Sequence, residues 1–275
     1  MDLFTIDKSK CIACGVCCAV CPAHIIELGP KAKTPALKES SEGLCINCGH
    51  CVAVCPKGAL SLATMRASAC KDLFGNNRFP EPQSLELFLR ARRSIRNFKD
   101  KTVSRKTIEE LIDVARYAPS GINRQPVNWL VVYDKAKIKQ VAESVIEWMR
   151  LFVKEASPFA QSLNLQKRID AWEAGSDEIC RGAPHLVIAY AVKFDPTAPA
   201  ACTIALTYME LAAASRGLGT CWAGYVHMAI NSNPAIKKLL GMSPKTDCFG
   251  ALLLGYPKYQ YRRIPQRNKA HVMWK

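Results

Sequence analysis

The chain has 275 residues, of which 49% are hydrophobic and 22% charged, so it can form packed cores in one large domain or two smaller ones. No apolar run reaches the roughly 18–20 residues that span a bilayer, and residues 1–7 lack the basic start and apolar stretch of a secretory signal. We therefore expect a cytosolic (cytoplasmic) protein with no membrane partner.

The formal net charge of +15 makes nucleic acid a first suspicion. The charge is uneven, because residues 1–62 have a net charge of +1 and residues 63–275 have +14. No recognition helix and no interleaving of aromatic and basic residues is present. We therefore expect no nucleic-acid partner, and the basic excess suits an anionic cofactor or an acidic redox partner.

Cysteine is the most informative residue type near the start of the chain. Nine of the 14 cysteines lie in the first 55 residues. A disulfide framework needs an oxidising compartment, so metal ligation is the better interpretation. Residues 11–22 (CIACGVCCAVCP) and 45–56 (CINCGHCVAVCP) are identical at nine of twelve positions. Each copy has the spacing C-x2-C-x2-C-x3-C-P, which is typical of bacterial ferredoxins with two 4Fe–4S clusters.

In such ferredoxins the fourth cysteine of each copy ligates the cluster of the other copy. The first predicted ligand set is therefore Cys11, Cys14, Cys17 and Cys55. The second predicted set is Cys45, Cys48, Cys51 and Cys21. Zinc is the alternative, but zinc usually takes two separated C-x2-C pairs. Cys18 lies outside the spacing and is interpreted as a packed apolar residue.

A short apolar segment follows each cysteine run, at residues 24–28 and 59–62. Both segments are predicted to be strands that pair in a small pseudo-symmetric βαββαβ unit, with residues 29–43 connecting the halves. The predicted two-cluster ferredoxin domain is 1–62. Residues 63–83, with Gly75-Asn76-Asn77 and Pro80-Glu81-Pro82, are predicted to be a linker to a domain at 84–275.

Helices outnumber strands in the larger domain. Its predicted helices are residues 85–91, 105–117, 135–155 and 200–216. Its predicted strands are residues 126–133, 185–192 and 249–254. There is no regular βαβ alternation, and no G-x-G-x-x-G follows a strand. These patterns favour an α+β layered fold over a parallel doubly wound sheet.

Three segments of this domain carry residues suited to cofactor chemistry. Residues 92–98 (RRSIRNF) place guanidinium groups around a serine, which suits a phosphate, although such a run is more often a solvated face. Residues 118–126 (APSGINRQP) form either a simple connecting loop or a loop that holds a planar heterocycle. The third comprises residues 217–225 (GLGTCWAGY) and, further on, residues 255–265 (GYPKYQYRRIP).

In order and approximate spacing, these segments resemble the nitroreductase family of FMN enzymes across about residues 84–268. The resemblance implies phosphate and ribityl contacts from Arg92, Arg93, Ser94 and Arg96. It implies a flavin-edge loop, contributed by the second subunit, that contains Pro119, Ser120, Gly121 and Asn123. It implies a segment along the isoalloxazine ring that contains Trp222, Ala223 and Gly224. Cys221 precedes this segment and is either a further flavin contact or a packed side chain. It also implies a basic tail that closes on the phosphate, formed by Arg262 and Arg263.

The resemblance further implies a homodimer with FMN at its interface. The predicted function is an iron–sulfur flavoprotein oxidoreductase that passes electrons between its 4Fe–4S clusters and FMN to reduce a small planar organic acceptor, such as a nitroaromatic or a quinone. Ferredoxin or NAD(P)H is the possible external donor. Some members have Glu at the position of Ala223, which leaves direct use of NAD(P)H open. No catalytic side chain is expected, because the flavin carries the chemistry.

Two alternatives remain open at this point. One is an electron carrier or redox sensor without a dedicated small substrate. The other is a specialised flavin enzyme on the same fold, such as a reductive dehalogenase. Among the remaining residues, Cys180, Cys202 and Cys248 are expected to be core thiols. The aromatic residues of 148–172 are expected more readily in a core than in a substrate pocket.

Overall fold

The computed structural model describes residues 3–73 and 79–275, so the predicted linker residues Gly75-Asn76-Asn77 lie outside the described residues. The chain divides into two compact units. The first comprises the described part of Met1–Phe79 together with Ile122–Arg124, and the second comprises Pro80–Gly121 together with Gln125–Lys275. The domain limits at residues 62 and 84 stay a prediction. Within the described ranges, no helix is long and apolar enough to span a bilayer.

The first unit has the predicted βαββαβ order. Its elements are β1 (Phe4–Ile6), α1 (Val16–Ala19), β2 (Ile26–Glu27), β3 (Ala36–Leu37), α2 (His50–Ala53) and β4 (Leu60–Leu62). β1 pairs with β4 and β2 pairs with β3, both antiparallel. The segments 24–28 and 59–62 therefore do not pair with each other: the first pairs with β3 and the second with β1. Residues 29–43, predicted only as a connection, contain β3, because a turn in which the Ala32 N–H donates to the Gly29 carbonyl (2.9 Å) reverses the chain.

The second unit contains one four-stranded sheet. Its strands are β5 (Asn128–Val132), β6 (His185–Val192), β7 (Gly219–Trp222) and β8 (Thr246–Gly255). Their order in the sheet is β5-β6-β8-β7, and every pair is antiparallel. The predicted α+β fold is thus confirmed.

The second unit also contains eight helices. They are α3 (Pro82–Ala91), α4 (Arg105–Ala115), α5 (Lys135–Lys154), α6 (Pro158–Ser162), α7 (Leu165–Glu173), α8 (Ala198–Ser215), α9 (Gly224–Ser232) and α10 (Pro234–Leu239). The four predicted helices and three predicted strands all occur, with ends that shift by a few residues. β7, α6, α7, α9 and α10 were not among the predicted elements.

The core of the second unit lies on both faces of the sheet. Alternate residues of β6 belong to different apolar clusters: Leu186 and Ile188 pack with α5 and α9, whereas Val187 and Ala189 pack with α4 and α8. A strand buried on both faces has an unbroken apolar sequence, and this is the pattern of residues 185–192. The predicted core thiols are confirmed, since their side chains are fully buried: Cys180, Cys202 and Cys248.

The aromatic residues of α5 and α6 belong to the same core. Trp148 is buried and makes edge contacts to Phe152 and Phe159, with ring centroids 5.2 and 6.0 Å apart. Trp172 is half-buried and packs against this cluster. The core interpretation therefore holds for Trp148, Phe152 and Phe159, whose rings stabilise the helical layer. Trp172 also borders an open pocket.

Candidate cofactor sites

Two cavities in the first unit are each bordered by four cysteines. The cysteines of the first are Cys11, Cys14, Cys17 and Cys55. The cysteines of the second are Cys21, Cys45, Cys48 and Cys51. These sets have the same members as the two crossed ligand sets predicted from the spacing.

Local backbone geometry explains how the repeats surround these cavities. Gly15 and Gly49 precede α1 and α2 with φ of 71° and 73°, a left-handed conformation that glycine adopts without strain. The turn places Cys17 and Cys51, both buried, in the first turn of their helices. Cys55 lies beyond α2, and its Sγ accepts a hydrogen bond from the Ala59 N–H at 3.2 Å.

Burial of Cys17 and Cys51 favours the protonated thiol over the thiolate. Burial, with a smaller contribution from Cys18, raises the pKa of Cys17 to about 12. Burial, with a smaller contribution from Cys48, raises the pKa of Cys51 to about 11. Binding of iron would hold such thiols as thiolates, which are soft ligands suited to iron–sulfur clusters. Cys18 borders neither cavity and packs at the edge of the core of this unit.

The cysteines surround a volume rather than a point. Across residues 3–73 and 79–275, no three His, Cys, Asp or Glu side chains converge closely enough to hold one metal ion. A four-iron cluster has thiolates spread around it, so the observed cavities fit such a group.

In the second unit, the predicted phosphate segment lies beside β7. The Ile95 N–H donates to the Thr220 carbonyl at 2.8 Å, and Ser94 forms a parallel bridge with Thr220. The two backbones approach closely, because a Cβ atom added to Gly219 would lie 2.4 Å from the Ile95 side chain. The tertiary structure therefore brings together two segments that are more than 120 residues apart in sequence.

A buried carboxylate, which sequence reasoning missed, connects these two segments. Glu210 on α8 is 5% exposed. It accepts hydrogen bonds from the Thr220 hydroxyl (2.9 Å) and the Trp222 indole N–H (2.8 Å), and Arg92 Nη1 lies 3.5 Å from it. The available sequence signal was that Glu210 is the sole charged residue in the largely apolar, Ala-rich α8, since a charge in such a helix is seldom buried without partners.

An open cleft of about 980 Å³ borders this network. Its walls include Arg92, Arg93, Glu210, Thr220 and Tyr261. The cleft thus combines two guanidinium groups, one buried carboxylate and aromatic surface, a combination that can bind an anionic aromatic ligand.

The segment 221–224 runs from β7 into α9. Burial raises the pKa of the Cys221 thiol, while the neighbouring guanidinium groups of Arg96 and Arg181 act in the opposite direction. The Trp222 ring is 38% exposed and lies where a Cβ atom on Gly250 would meet it at 2.9 Å. Ala223 donates its N–H to the Ala251 carbonyl at 2.8 Å, and Gly224 begins α9. Arg181 was not among the predicted site residues.

The predicted flavin-edge loop has a strained and well-connected backbone. Pro119 is exposed, and the half-buried Ser120 hydroxyl accepts from the Gln125 N–H at 2.9 Å. A Cβ atom on Gly121 would meet Thr197 at 3.0 Å. Asn123 has φ of 54° and belongs to the first unit, where its amide donates to the carbonyls of Ile46 (3.1 Å) and Asn47 (2.8 Å). Its assigned contact with flavin stays a prediction.

The two arginines of the predicted basic tail lie in the exposed segment after β8. Arg262 and Arg263 are both exposed. Neither belongs to the wall of the cleft that holds Arg92 and Arg93, although their neighbour Tyr261 does. Their role in closing on a phosphate stays a prediction.

The fold and the sites define a two-part redox protein, with a cysteine-rich unit followed by an α+β oxidoreductase unit. Residues 89–256 match the Nitroreductase family. Residues 10–59 match the 4Fe-4S dicluster domain. Because the first match spans more than half of the chain, the protein belongs to the nitroreductase family, and it carries a 4Fe–4S dicluster domain on its N-terminal side.

Similar proteins include redox enzymes of several kinds. A protein of Archaeoglobus fulgidus whose name includes NADH dehydrogenase and NAD(P)H nitroreductase is 29% identical over 61% of this chain and 82% of its own length. An iodotyrosine deiodinase of Thermotoga neapolitana is 27% identical over 66% of this chain and 93% of its own length. The crystal structure of a nitroreductase with bound FMN from Bacteroides fragilis covers 71% of this chain and 100% of its own, with a TM-score of 0.57 and 22% identity. At that identity the structural likeness shows the fold alone.

Proposed function

We propose that this protein is an iron–sulfur flavoprotein that passes electrons between two 4Fe–4S clusters and FMN to reduce a small planar organic acceptor, such as a nitroaromatic or a quinone. The observation that carries the proposal is the pair of cavities, each bordered by four cysteines, in a chain of the nitroreductase family. Joining a one-electron carrier to a reductase in one chain raises the effective concentration of the donor near the acceptor.

The eight cysteines of the two cavities are the proposed cluster ligands. The sets cross between the repeats, so that Cys55 completes the first set and Cys21 the second. Apolar neighbours such as Ile12, Leu60 and Ile26 border the cavities and limit the access of water. Restricted solvent access is one of the factors that set the potential of a cluster.

The proposed FMN contacts lie in the second unit, except for Asn123, which belongs to the first unit. FMN supplies the redox chemistry, since a flavin can exchange electrons singly or in pairs. Arg92, Arg93 and Ser94 are the proposed phosphate and ribityl contacts, because Ser94 bridges to Thr220 of β7 and both arginines border the cleft. The remaining proposed contacts are Arg96, Pro119, Ser120, Gly121, Asn123, Cys221, Trp222, Ala223, Gly224, Arg262 and Arg263.

The proposal also covers the location, the oligomeric state and the electron donor of the protein. We place it in the cytoplasm as a homodimer, with ferredoxin or NAD(P)H as the external electron donor. We assign it no nucleic-acid and no membrane partner. Sedimentation of the purified holoprotein tests the dimer, and anaerobic reduction by NADPH or by reduced ferredoxin tests the donor.

The deciding experiment is the cofactor content of the protein purified without oxygen. We expect about eight irons, about eight sulfides and about one FMN per chain. Arg92→Ala should lower the flavin content, whereas Arg90→Ala is the matched control. Arg90 is an exposed arginine two residues away whose carboxylate partner is Glu86 on the same helix. Full iron without flavin in the wild-type protein would overturn the reductase proposal, and equal flavin in both variants would overturn the phosphate assignment.

Reductive dehalogenation is a second candidate because an iodotyrosine deiodinase aligns over 93% of its own length. Under this alternative, the reduced protein would release halide from a halogenated phenol. Turnover with a nitroaromatic and a halogenated phenol, measured side by side with the same reductant, separates the two. Halide release that exceeds nitro reduction would replace our first candidate with the second.

A further inference from the structure

Glu210 is the most strongly buried charged side chain of the cleft that Arg92 and Arg93 border. It sits on α8, is 5% exposed and has three donors around it. A buried carboxylate is stable only when it is paired and hydrogen-bonded, because burial removes it from water. The three neighbours meet this need with a hydroxyl, an indole N–H and a guanidinium.

Each of these neighbours belongs to a segment with a proposed cofactor role. Arg92 belongs to the proposed phosphate contact, and Trp222 belongs to the proposed segment along the isoalloxazine ring. The Arg92 side chain is 29% exposed and borders the cleft. One of its nitrogens, Nη1, faces Glu210 at 3.5 Å. A guanidinium has five N–H donors, so this contact orients the group and leaves donors for a ligand.

Trp222 is restrained in two ways. Its indole N–H donates to Glu210 at 2.8 Å, and its ring lies against Gly250, where any larger side chain would meet it. The same carboxylate therefore restrains both the guanidinium and the indole. No other acidic side chain borders this cleft in the described part of the chain.

We propose that Glu210 is a positioning residue for FMN binding, which orients Arg92 toward the ligand phosphate and holds Trp222 in place. This inference rests on the proposed function, because it assumes that the cleft receives the phosphate of FMN. It assigns Glu210 no contact with the reacting atoms.

The substitution Glu210→Gln isolates the role of the charge. The amide oxygen can still accept from the Trp222 indole, and the Thr220 hydroxyl can rotate to accept from the new NH₂ group. Arg92 alone would face an amide in place of a carboxylate, so its orientation should be lost while the rest of the network is kept. Glu110→Gln is the matched control, since Glu110 pairs with Arg216 at the same 3.5 Å on the exposed surface.

The test compares FMN with riboflavin, which lacks the phosphate. The full-length protein, with its clusters intact and its flavin removed, is titrated with each ligand, and quenching of flavin fluorescence gives the two values of Kd. We expect Glu210→Gln to weaken FMN about tenfold and riboflavin less than about twofold. Glu110→Gln should change neither value. A merely structural role would weaken both ligands alike.

A double substitution shows whether Glu210 acts through Arg92. In the Arg92→Ala background, adding Glu210→Gln should leave the ratio of the FMN and riboflavin constants unchanged, because the group being oriented is gone. Three results would overturn the inference while leaving the proposed function intact. The first is an unchanged ratio of the two Kd values in the single Glu210→Gln variant, and the second is tighter binding of FMN by that variant. The third is additive effects of the two substitutions on FMN binding in the double variant. If the wild-type protein binds neither flavin, the proposed function fails and the inference falls with it.

Discussion

The two units of this protein differ in what stabilises them. The core of the first unit contains three cysteines, Cys17, Cys21 and Cys51, among only eight buried residues, and its strands have two or three residues. The second unit has apolar clusters on both faces of a sheet whose longest strand has ten residues. Small domains bury too little apolar surface to be stable on that basis alone. The first unit should therefore depend on its metal clusters for folding, whereas the second should depend on apolar burial.

The largest expected effect is that of removing the iron. Removal of the iron by a chelator in the presence of a mild oxidant should unfold the first unit, because binding free energy at a metal site is also folding free energy. The second unit should stay folded. Hydrogen exchange followed by mass spectrometry tests this by comparing peptides from residues 3–62 with peptides from β6 and β8. Retained protection in residues 3–62 after loss of iron would remove the distinction between the units.

Single cysteine substitutions sharpen the assignment within the first unit. Cys48→Ser and Cys21→Ser should abolish the same cluster, although the two residues lie in different repeats, and about four irons per chain should remain. Cys14→Ser should abolish the other cluster. Cys18→Ser is the control and should keep about eight irons. Electron paramagnetic resonance of the reduced variants identifies the lost cluster, and a shared spectrum for Cys21→Ser and Cys14→Ser would refute the crossed scheme.

A core substitution tests whether the second unit depends on apolar burial for its stability. Leu206 on α8 is fully buried, and its Cδ1 lies 2.4 Å from the position that a Cβ atom on Gly250 would take. Leu206→Ala should lower the free energy of unfolding of this unit by about 2–5 kcal/mol, with the iron content unchanged. Urea denaturation measured by far-ultraviolet circular dichroism gives the difference. The exposed Thr203 on the same helix provides the control, since Thr203→Ala should change stability by less than about 0.5 kcal/mol.

The smallest expected effect is a pH dependence from His185 at the start of β6. The ring is fully buried, its Nε2 accepts from the Val103 N–H at 2.9 Å, and burial lowers its pKa. The unfolded chain therefore binds a proton near pH 6.5 that the folded state binds only at lower pH. Stability should fall as the pH drops below about 6.5 and should not change through this group above it.

Urea denaturation at pH 5.5, 6.5 and 8 measures this contribution. His185→Gln keeps a hydrogen-bond acceptor and removes the proton site, so the loss of stability on acidification should shrink by about 1.4 kcal/mol per pH unit at most. The exposed His271 serves as the control, and His271→Gln should leave the slope as it is. An equal slope in His185→Gln and in the wild-type protein would contradict the prediction.

Long and strongly patterned segments were predictable from sequence. Residues 185–192 coincide with β6 because burial on both faces gives an unbroken apolar run. Residues 135–155 coincide within one residue with α5 because its apolar face repeats over many turns. By contrast, β7 has four residues and α6 has five, and segments this short carry too few periods to be distinguished from loops.

Glu210 illustrates what residue patterns do not reveal. Its neighbours Thr220 and Trp222 follow it by ten and twelve residues, across a helix end and a turn. Arg92 precedes it by 118 residues. A lone acidic residue in an apolar helix signals a partner, but the partner's identity depends on how α8 packs on β7.

By itself, the sequence determined the cluster chemistry and the family, because ligand spacing along a short loop is local information and the flavin motifs are contiguous. The duplicated spacing also predicts the crossed pairing of cysteines, and the two cavities have the same members as the predicted ligand sets. Only the tertiary structure decided that the arginine segment lies along β7 and that one buried carboxylate connects it to Trp222. The physical reason is that hydrogen bonds and burial between distant segments arise from packing, which no local pattern encodes.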